Sequence, residues 1–220
     1  MNDNDLEKAQ KTLLKNTLAM YREGLIFGSW GNLSCKLGED KIIITPSALP
    51  YDNLQYTDMV VVDLETGTVV EGKWKPSSEL PLHLAIYKSR RDVQAIVHTH
   101  SIFSSAFAVA RQEIPVALEE LAQLAGGNIP VAKYALPGSD KLADNAAKTL
   151  GTESFGVLLA NHGLITVGED LEAAAQRSRV IERNAQVLLW SNLLGTPGLL
   201  EKEEVKELRR KFLYFYGQHK

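Results

Sequence analysis

The chain has 220 residues, of which 45% are hydrophobic and 23% charged, a balance that predicts a globular protein with its own core and excludes a disordered one. A net charge of -3 and a pI near 6.0 leave no basic stripe to neutralise phosphates, which argues against a dedicated nucleic-acid-binding protein. Because the chain lacks a signal-peptide pattern and a bilayer-length apolar run, and its single Cys35 cannot form an internal disulfide, we expect a soluble cytoplasmic protein without membrane contacts.

The first part of the chain predicts one amphipathic helix followed by short strands. Apolar residues recur with helical spacing from Asp5 to about Arg22, and Gly24 ends the pattern. Strand patterns follow at 33–37, 41–45 and 59–64, and a tight turn leads into another at 69–70. Because tight turns join these strands, we expect them to pair antiparallel.

A turn rich in glycine, serine and asparagine precedes the first of these strands, between Phe27 and Ser34. Such a backbone can present N–H groups to an anion, although an ordinary turn explains the same composition. On its own, this segment leaves both interpretations open.

The segment 75–81 predicts the start of a helix, with Ser77 or Ser78 as its capping residue. Free N–H groups and paired hydroxyls at such an end suit a phosphate. Glu79 falls in the first turn, where the helix dipole alone favours a carboxylate, so its residue type does not by itself indicate a further role. His83 lies one turn later, and we expect it to be a packing or supporting residue.

A strand pattern from Ala95 to His100 places His98 and His100 on one face, because alternate side chains of a strand point the same way. Two imidazoles at this spacing can bind one divalent metal if the fold brings a third ligand. A bare His-x-His pair also occurs in chains without a metal, so the pair needs support from elsewhere in the sequence.

The next segments predict two helices with an acidic pair before the second. A helix is expected at 103–110, an extended stretch at 114–116, and a helix from Lys141 to Leu150 that Ser139 or Asp140 caps and Gly151 ends. Glu119 and Glu120 precede an apolar segment. They are either a solvated helix start, or one of them is a catalytic acid or base.

A continuously apolar strand at 155–160 is expected to be buried on both faces, and it delivers His162 between Asn161 and Gly163. Small neighbours at that turn leave room for a ligand. With His98 and His100, His162 would complete three neutral ligands, and three protein ligands with an open position are typical of catalytic zinc.

Two helices close the chain, one from Asp170 to Leu194 and one from Glu201 to about Tyr216. The second ends in a dense aromatic group at 212–216. This group either packs on the body of the protein or forms a tail that covers an active site or a neighbouring subunit.

Five motifs in this order and at these separations resemble the class II aldolase/adducin family, most closely its L-fuculose-1-phosphate aldolases. They are Gly31-Asn32-Leu33-Ser34, Ile44-Thr45-Pro46-Ser47, Pro76-Ser77-Ser78-Glu79, His98-Thr99-His100 and Asn161-His162-Gly163. The resemblance runs from about Leu6 to the C-terminal helix. It implies one α/β domain of the α+β type over residues 1–220, with a central, mainly antiparallel sheet flanked by helices. It also implies a cyclic homotetramer with its sites at subunit interfaces.

The resemblance implies a ligand set and a phosphate site. His98, His100 and His162 would bind zinc, with Glu79 as a ligand that can leave the metal to move a proton. Manganese or cobalt could replace zinc in such a set. The substrate phosphate would lie among Asn32, Ser47, Ser77 and Ser78, with Ser29 and Gly31 nearby.

The implied reaction is cleavage of a ketose 1-phosphate between C3 and C4, which yields dihydroxyacetone phosphate and a short aldehyde. The metal would polarise the carbonyl, and Glu79 would move the proton at the adjacent carbon. Tyr216 is similar to a family tyrosine that protonates the aldehyde oxygen.

One position departs from the family pattern. Related fuculose phosphate aldolases carry a tyrosine where this chain has Glu119-Glu120, whereas epimerase and dehydratase relatives place an acidic residue there. Glu120 is therefore a candidate catalytic residue. The departure leaves a pentulose-phosphate 4-epimerase or a methylthioribulose-1-phosphate dehydratase open, beside a non-catalytic adducin-like module.

Overall fold

A sheet of eight strands runs through the computed structural model, which describes residues 3–216. The strands are β1 (Asn32–Lys36), β2 (Lys41–Ile44), β3 (Val60–Asp63), β4 (Val69–Glu71), β5 (Ala95–Thr99), β6 (Val131–Ala132), β7 (Gly156–Leu159) and β8 (Gly163–Gly168). Their spatial order is β4-β3-β2-β1-β5-β8-β7-β6. Every described pair is antiparallel except β6 with β7. The expected central, mainly antiparallel sheet of a single domain is confirmed.

Seven helices among the described residues flank this sheet. They are α1 (Asp3–Arg22), α2 (Leu80–Ser89), α3 (Ile102–Ala110), α4 (Glu119–Ala125), α5 (Asp140–Leu150), α6 (Leu171–Leu194) and α7 (Lys202–Phe215). Within residues 3–216, no helix combines the length and the apolar character that a bilayer crossing needs.

Strand alternation divides the core into layers. On β2, Ile42 and Ile44 face a cluster with α2 and α5, whereas Ile43 between them faces a cluster with α1 and the start of α6. A third cluster joins α3, α4, α6 and α7 to β7 and β8. Since β7 is covered on both faces, Val157, Leu158 and Leu159 form an uninterrupted apolar run, as the sequence predicts.

Most of the expected elements are present, with three differences. The strands β6 and β8 were not predicted. The residue that caps α2 is Glu79 rather than Ser77 or Ser78, because the chain first makes a turn in which Leu80 N donates to the Ser77 carbonyl. Glu79 therefore precedes the first turn of the helix, and its side chain is free to point away from the helix N–H groups.

Candidate active site

Three histidines and one glutamate converge at one end of the central strands. The group consists of Glu79, His98, His100 and His162, and their ligand atoms all lie within 4.8 Å of one another. His98 is in β5, His100 follows the end of that strand, and His162 lies in the turn between β7 and β8. Glu79 comes from the start of α2. The predicted ligands are thus brought together from three separate segments.

The β7–β8 turn places His162 by means of two unusual backbone positions. Asn161 has a left-handed φ of 57°, a conformation that asparagine tolerates better than most residues. A Cβ added at Gly163 would collide with the Thr99 carbonyl oxygen and lie 3.1 Å from Cε1 of His98. Glycine therefore permits the close approach of this turn to β5.

Hydrogen bonds orient the rings and the carboxylate within the group. His98 Nδ1 lies 3.0 Å from the Leu164 carbonyl oxygen, which can only accept, so this nitrogen donates and Nε2 faces the other ligands. Glu79 Oε2 lies 2.9 Å from His98 Nε2, and Oε1 lies 3.3 Å from His162 Nε2. The four side chains thus direct their ligand atoms at one point.

The electrostatics of Glu79, His100 and His162 favour the forms that bind metals. Burial raises the pKa of the Glu79 carboxyl, but His98 and His162 lower it more, so the pKa lies well below its usual range. Burial and the neighbouring His98 lower the pKa of His100 to about 3 and that of His162 to about 4. A carboxylate and neutral imidazoles are the species that ligate a metal.

The donor set fits a divalent cation. Among the described residues, the buried atoms Glu79 Oε1 and His162 Nδ1 have no hydrogen-bond partner. The Nε2 atoms of His98 and His100 are only 2.9 Å apart, although two neutral ring nitrogens need a proton or a cation between them. A transition-metal ion at the common point of the three imidazoles and the carboxylate would satisfy Glu79 Oε1 and account for the close approach of the two Nε2 atoms.

A cavity of about 360 Å³ opens beside this group. All six residues expected at the phosphate site line it: Ser29, Gly31, Asn32, Ser47, Ser77 and Ser78. Glu79, His100 and His162 form part of the same lining. A small polar substrate in the cavity would therefore meet hydroxyl and amide groups and the metal-binding side chains together.

The sequence did not identify four further lining residues and one supporting residue. The cavity is also lined by Trp30, Pro46, Ala48 and Pro137. Tyr51, which is buried, donates its hydroxyl proton to the Gly31 carbonyl. None of these carries a local pattern that distinguishes it from an ordinary turn or core residue. Their positions follow only from long-range packing.

Two expected catalytic residues lie apart from the lining of this cavity. Glu120 is exposed in the first turn of α4, as a solvated helix start would be. Tyr216 is 67% exposed and packs against Phe212, with ring centroids 5.0 Å apart. Within one chain they do not meet the histidines, so a catalytic role for either remains a prediction that depends on a neighbouring subunit.

Comparisons with known proteins agree with the fold. The family model described as Class II Aldolase and Adducin N-terminal domain matches residues 11–189. The 5-deoxy-D-ribulose 1-phosphate aldolase of Bacillus thuringiensis serovar kurstaki is 37% identical, across 97% of this chain and 99% of that protein. The L-fuculose phosphate aldolase of Escherichia coli K12 is 34% identical, across 93% and 94%. A solved L-fuculose 1-phosphate aldolase superposes with a TM-score of 0.90 at 34% identity, covering 94% of this chain and 97% of that one.

Proposed function

Because the chain belongs to the class II aldolase and adducin family and is a metal-dependent aldolase of the fuculose-phosphate type, we propose that it reversibly cleaves a short-chain ketose or deoxyketose 1-phosphate with the help of zinc. The products are dihydroxyacetone phosphate and a short aldehyde. The observation that carries the proposal is the Glu/His₃ group beside a cavity lined by hydroxyl and amide groups. A non-catalytic adducin-like role does not account for this group.

Glu79, His98, His100 and His162 hold the metal in this proposal. When bound, a divalent metal polarises the substrate carbonyl and offsets the negative charge that develops as the C3–C4 bond breaks. The three histidines suit zinc, while manganese and cobalt are compatible with the same donors.

The hydroxyl-lined end of the cavity receives the phosphate. Ser47, Ser77 and Ser78 offer hydroxyl donors, and Asn32 offers an amide. Ser29 and Gly31 belong to the same wall, where φ at Gly31 is 94°. A Cβ at Gly31 would lie 2.8 Å from the His98 carbonyl oxygen, so glycine lets this wall approach β5.

Proton transfer is divided between two groups. In the synthesis direction, ionised Glu79 takes a proton from C3 of dihydroxyacetone phosphate, the C3–C4 bond forms, and an acid gives its proton to the aldehyde oxygen at C4. Cleavage reverses these steps, so the C4 hydroxyl returns its proton to that acid and Glu79 returns its proton to C3. We assign the C4 proton to Tyr216 or Glu120 of a neighbouring subunit, which requires the homotetramer implied by the family. The tetramer, the cytoplasmic location and both assignments remain predictions.

Two substrates have support from relatives at 34–37% identity: 5-deoxy-D-ribulose 1-phosphate and L-fuculose 1-phosphate. An enzyme-coupled assay for released dihydroxyacetone phosphate, run with each compound, tests the proposal. Release from at least one is expected, and the ratio of kcat/KM values identifies the preferred aldehyde. No release from either, in protein shown to contain zinc, would contradict the proposed reaction.

A second candidate function rests on the acidic pair Glu119-Glu120. An acid at this position favours 4-epimerisation of a pentulose phosphate or dehydration of methylthioribulose 1-phosphate on the same metal site. Product analysis by NMR separates the candidates, because only the aldolase yields dihydroxyacetone phosphate. An epimer or a dehydrated product from zinc-loaded protein would favour the second candidate.

A further inference from the structure

A continuous chain of buried hydrogen bonds leads from α2 to the carboxylate of Glu79. Tyr87 OH lies 2.8 Å from Ser34 Oγ, and Ser34 Oγ lies 2.6 Å from His83 Nδ1. His83 Nε2 lies 2.6 Å from Asn32 Oδ1, and Asn32 Nδ2 lies 3.0 Å from Glu79 Oε2. Each of the five side chains is at most 6% exposed. We call these residues the Tyr87–Glu79 chain.

The donor and the acceptor of each hydrogen bond follow from Glu79, at which the Tyr87–Glu79 chain ends. Ionised Glu79 can only accept, so the Asn32 amide presents its NH₂ group to the carboxylate and its oxygen to the other side. That oxygen can only accept as well, so His83 donates from Nε2. A neutral His83 then accepts at Nδ1 from the Ser34 hydroxyl, and Ser34 accepts from Tyr87. Every donor in the chain points toward Glu79.

The Tyr87–Glu79 chain fixes the orientation of the Asn32 amide, which could otherwise rotate by half a turn. In the rotated state the amide oxygen would face the Glu79 carboxylate, so a hydrogen bond would be replaced by repulsion between two acceptors. His83 prevents this rotation because its Nε2–H requires the oxygen. Ser34 and Tyr87 in turn keep that proton on Nε2 by donating to the other ring nitrogen.

We propose that His83 is a positioning residue that, through Asn32, holds the Glu79 carboxylate in place for metal binding and proton transfer. The proposal rests on the proposed function of Glu79. His83 itself does not line the cavity, and its ring hydrogen-bonds to Asn32 and Ser34 rather than to a ligand, so it acts through the amide. Groups that orient a ligand in this way typically change metal affinity or activity when they are removed.

Two substitutions at His83 separate positioning from packing. His83→Leu removes both ring contacts, whereas His83→Gln retains an N–H donor for Asn32 and an oxygen that can accept from Ser34. Ser34→Ala is a gentler test, and Ser178→Ala is its matched control, since Ser178 is equally buried but bonds to Thr166 at 2.6 Å instead. Circular dichroism and thermal unfolding establish that each variant folds.

The first readout is zinc affinity, measured by competition with a chromogenic chelator. We expect His83→Leu to weaken zinc binding about 10-fold, within the 10–100-fold range for orienting partners, and His83→Gln to restore most of the loss. Ser34→Ala should weaken it less, and Ser178→Ala should leave it unchanged. Equal affinities in all variants, or equal losses in the Leu and Gln variants, would overturn the proposal.

The second readout uses zinc-saturated protein. His83→Leu should lower kcat and the exchange of the C3 proton of dihydroxyacetone phosphate with D₂O by about 10-fold or more, with KM changed by less than about 3-fold. If wild-type protein catalyses neither reaction, the proposed function fails, and the zinc affinities alone decide the role of His83. If KM rises instead while the exchange of the C3 proton stays normal, His83 supports substrate binding at the cavity wall rather than the position of Glu79, and the proposal is wrong.

Discussion

At the scale of single residues, buried charge determines the state of the site. Glu79 is buried yet ionised, because the nearby His98 and His162 lower the pKa of its carboxyl and Asn32 donates a hydrogen bond to it. His98 shows the opposite balance: burial lowers its pKa, but the charge of Glu79 raises it above the ordinary value. The pair is therefore arranged for one shared proton or one cation.

The pH dependence of stability in metal-free protein follows from the fully buried His83. Burial, together with the charge of His98, lowers the pKa of His83 from 6.5 to about 3. Below pH 6.5, His83 gains a proton in the unfolded chain but not in the folded one. The stability that the neutral ring contributes is therefore fully present above pH 6.5 and is lost as the pH falls. The titration of His83 lowers the free energy of unfolding by about 2 kcal/mol between pH 6.5 and pH 5.

Urea unfolding of chelator-treated protein at pH 7.5, 6.5 and 5 measures this loss. His83→Gln is the control, since glutamine does not titrate, and its free energy of unfolding should fall less steeply over the same interval. Equal slopes for the two proteins would contradict a neutral, buried His83.

At the scale of elements, the β7–β8 turn decides whether His162 reaches the other ligands. Gly163→Ala would push the turn away from the Thr99 carbonyl, so we expect a loss of about 1–3 kcal/mol in the free energy of unfolding together with weaker zinc binding. Gly127→Ala is a matched control because no atom lies within 4 Å of the added Cβ. Thermal unfolding and zinc content per chain check both variants, and normal zinc content in Gly163→Ala would argue against a rigid turn.

The sequence predicts the individual helices and strands better than it predicts which of them lie next to one another. Alternation places His98 and His100 on one face, and the apolar run of β7 leads to His162, so each ligand can be proposed from its own segment. Their convergence depends on β8 lying between β5 and β7, and β8 was not predicted, because its apolar run follows the preceding strand after only a tight turn. The position of Glu79 before α2 could not be predicted either, since serines are the common capping residues.

At the scale of the whole molecule, one chain leaves a large apolar surface exposed near its C-terminal helices. Trp190 is 56% exposed, Leu193 75% and Leu194 91% on α6, and the aromatic group at the end of α7 is exposed as well. Patches of this kind mark protein contacts. The expected homotetramer would cover such surface and bring α7 of one subunit to the site of another.

The variant Tyr216→Phe tests whether a neighbouring subunit supplies the Tyr216 hydroxyl to the active site. If the Tyr216 hydroxyl serves the aldehyde oxygen in a neighbouring site, its removal should lower kcat about 100-fold, the usual scale for a general acid, without changing the mass of the oligomer. Tyr214→Phe is the matched control, because Tyr214 is 68% exposed in the last turn of α7, two residues before Tyr216. Steady-state kinetics and light scattering give the answer, and equal activity of both variants would remove Tyr216 from the mechanism.

Removal and return of the metal test the central claim most directly. Protein stripped by a chelator and freed of it should release no dihydroxyacetone phosphate from L-fuculose 1-phosphate or 5-deoxy-D-ribulose 1-phosphate, and zinc should restore release at one ion per chain. His162→Asn, which removes one of the four grouped ligands, should bind zinc weakly and recover little activity. Full cleavage by the stripped protein, or full recovery of the His162→Asn variant with one equivalent of zinc, would contradict a metal-dependent aldolase site at Glu79, His98, His100 and His162.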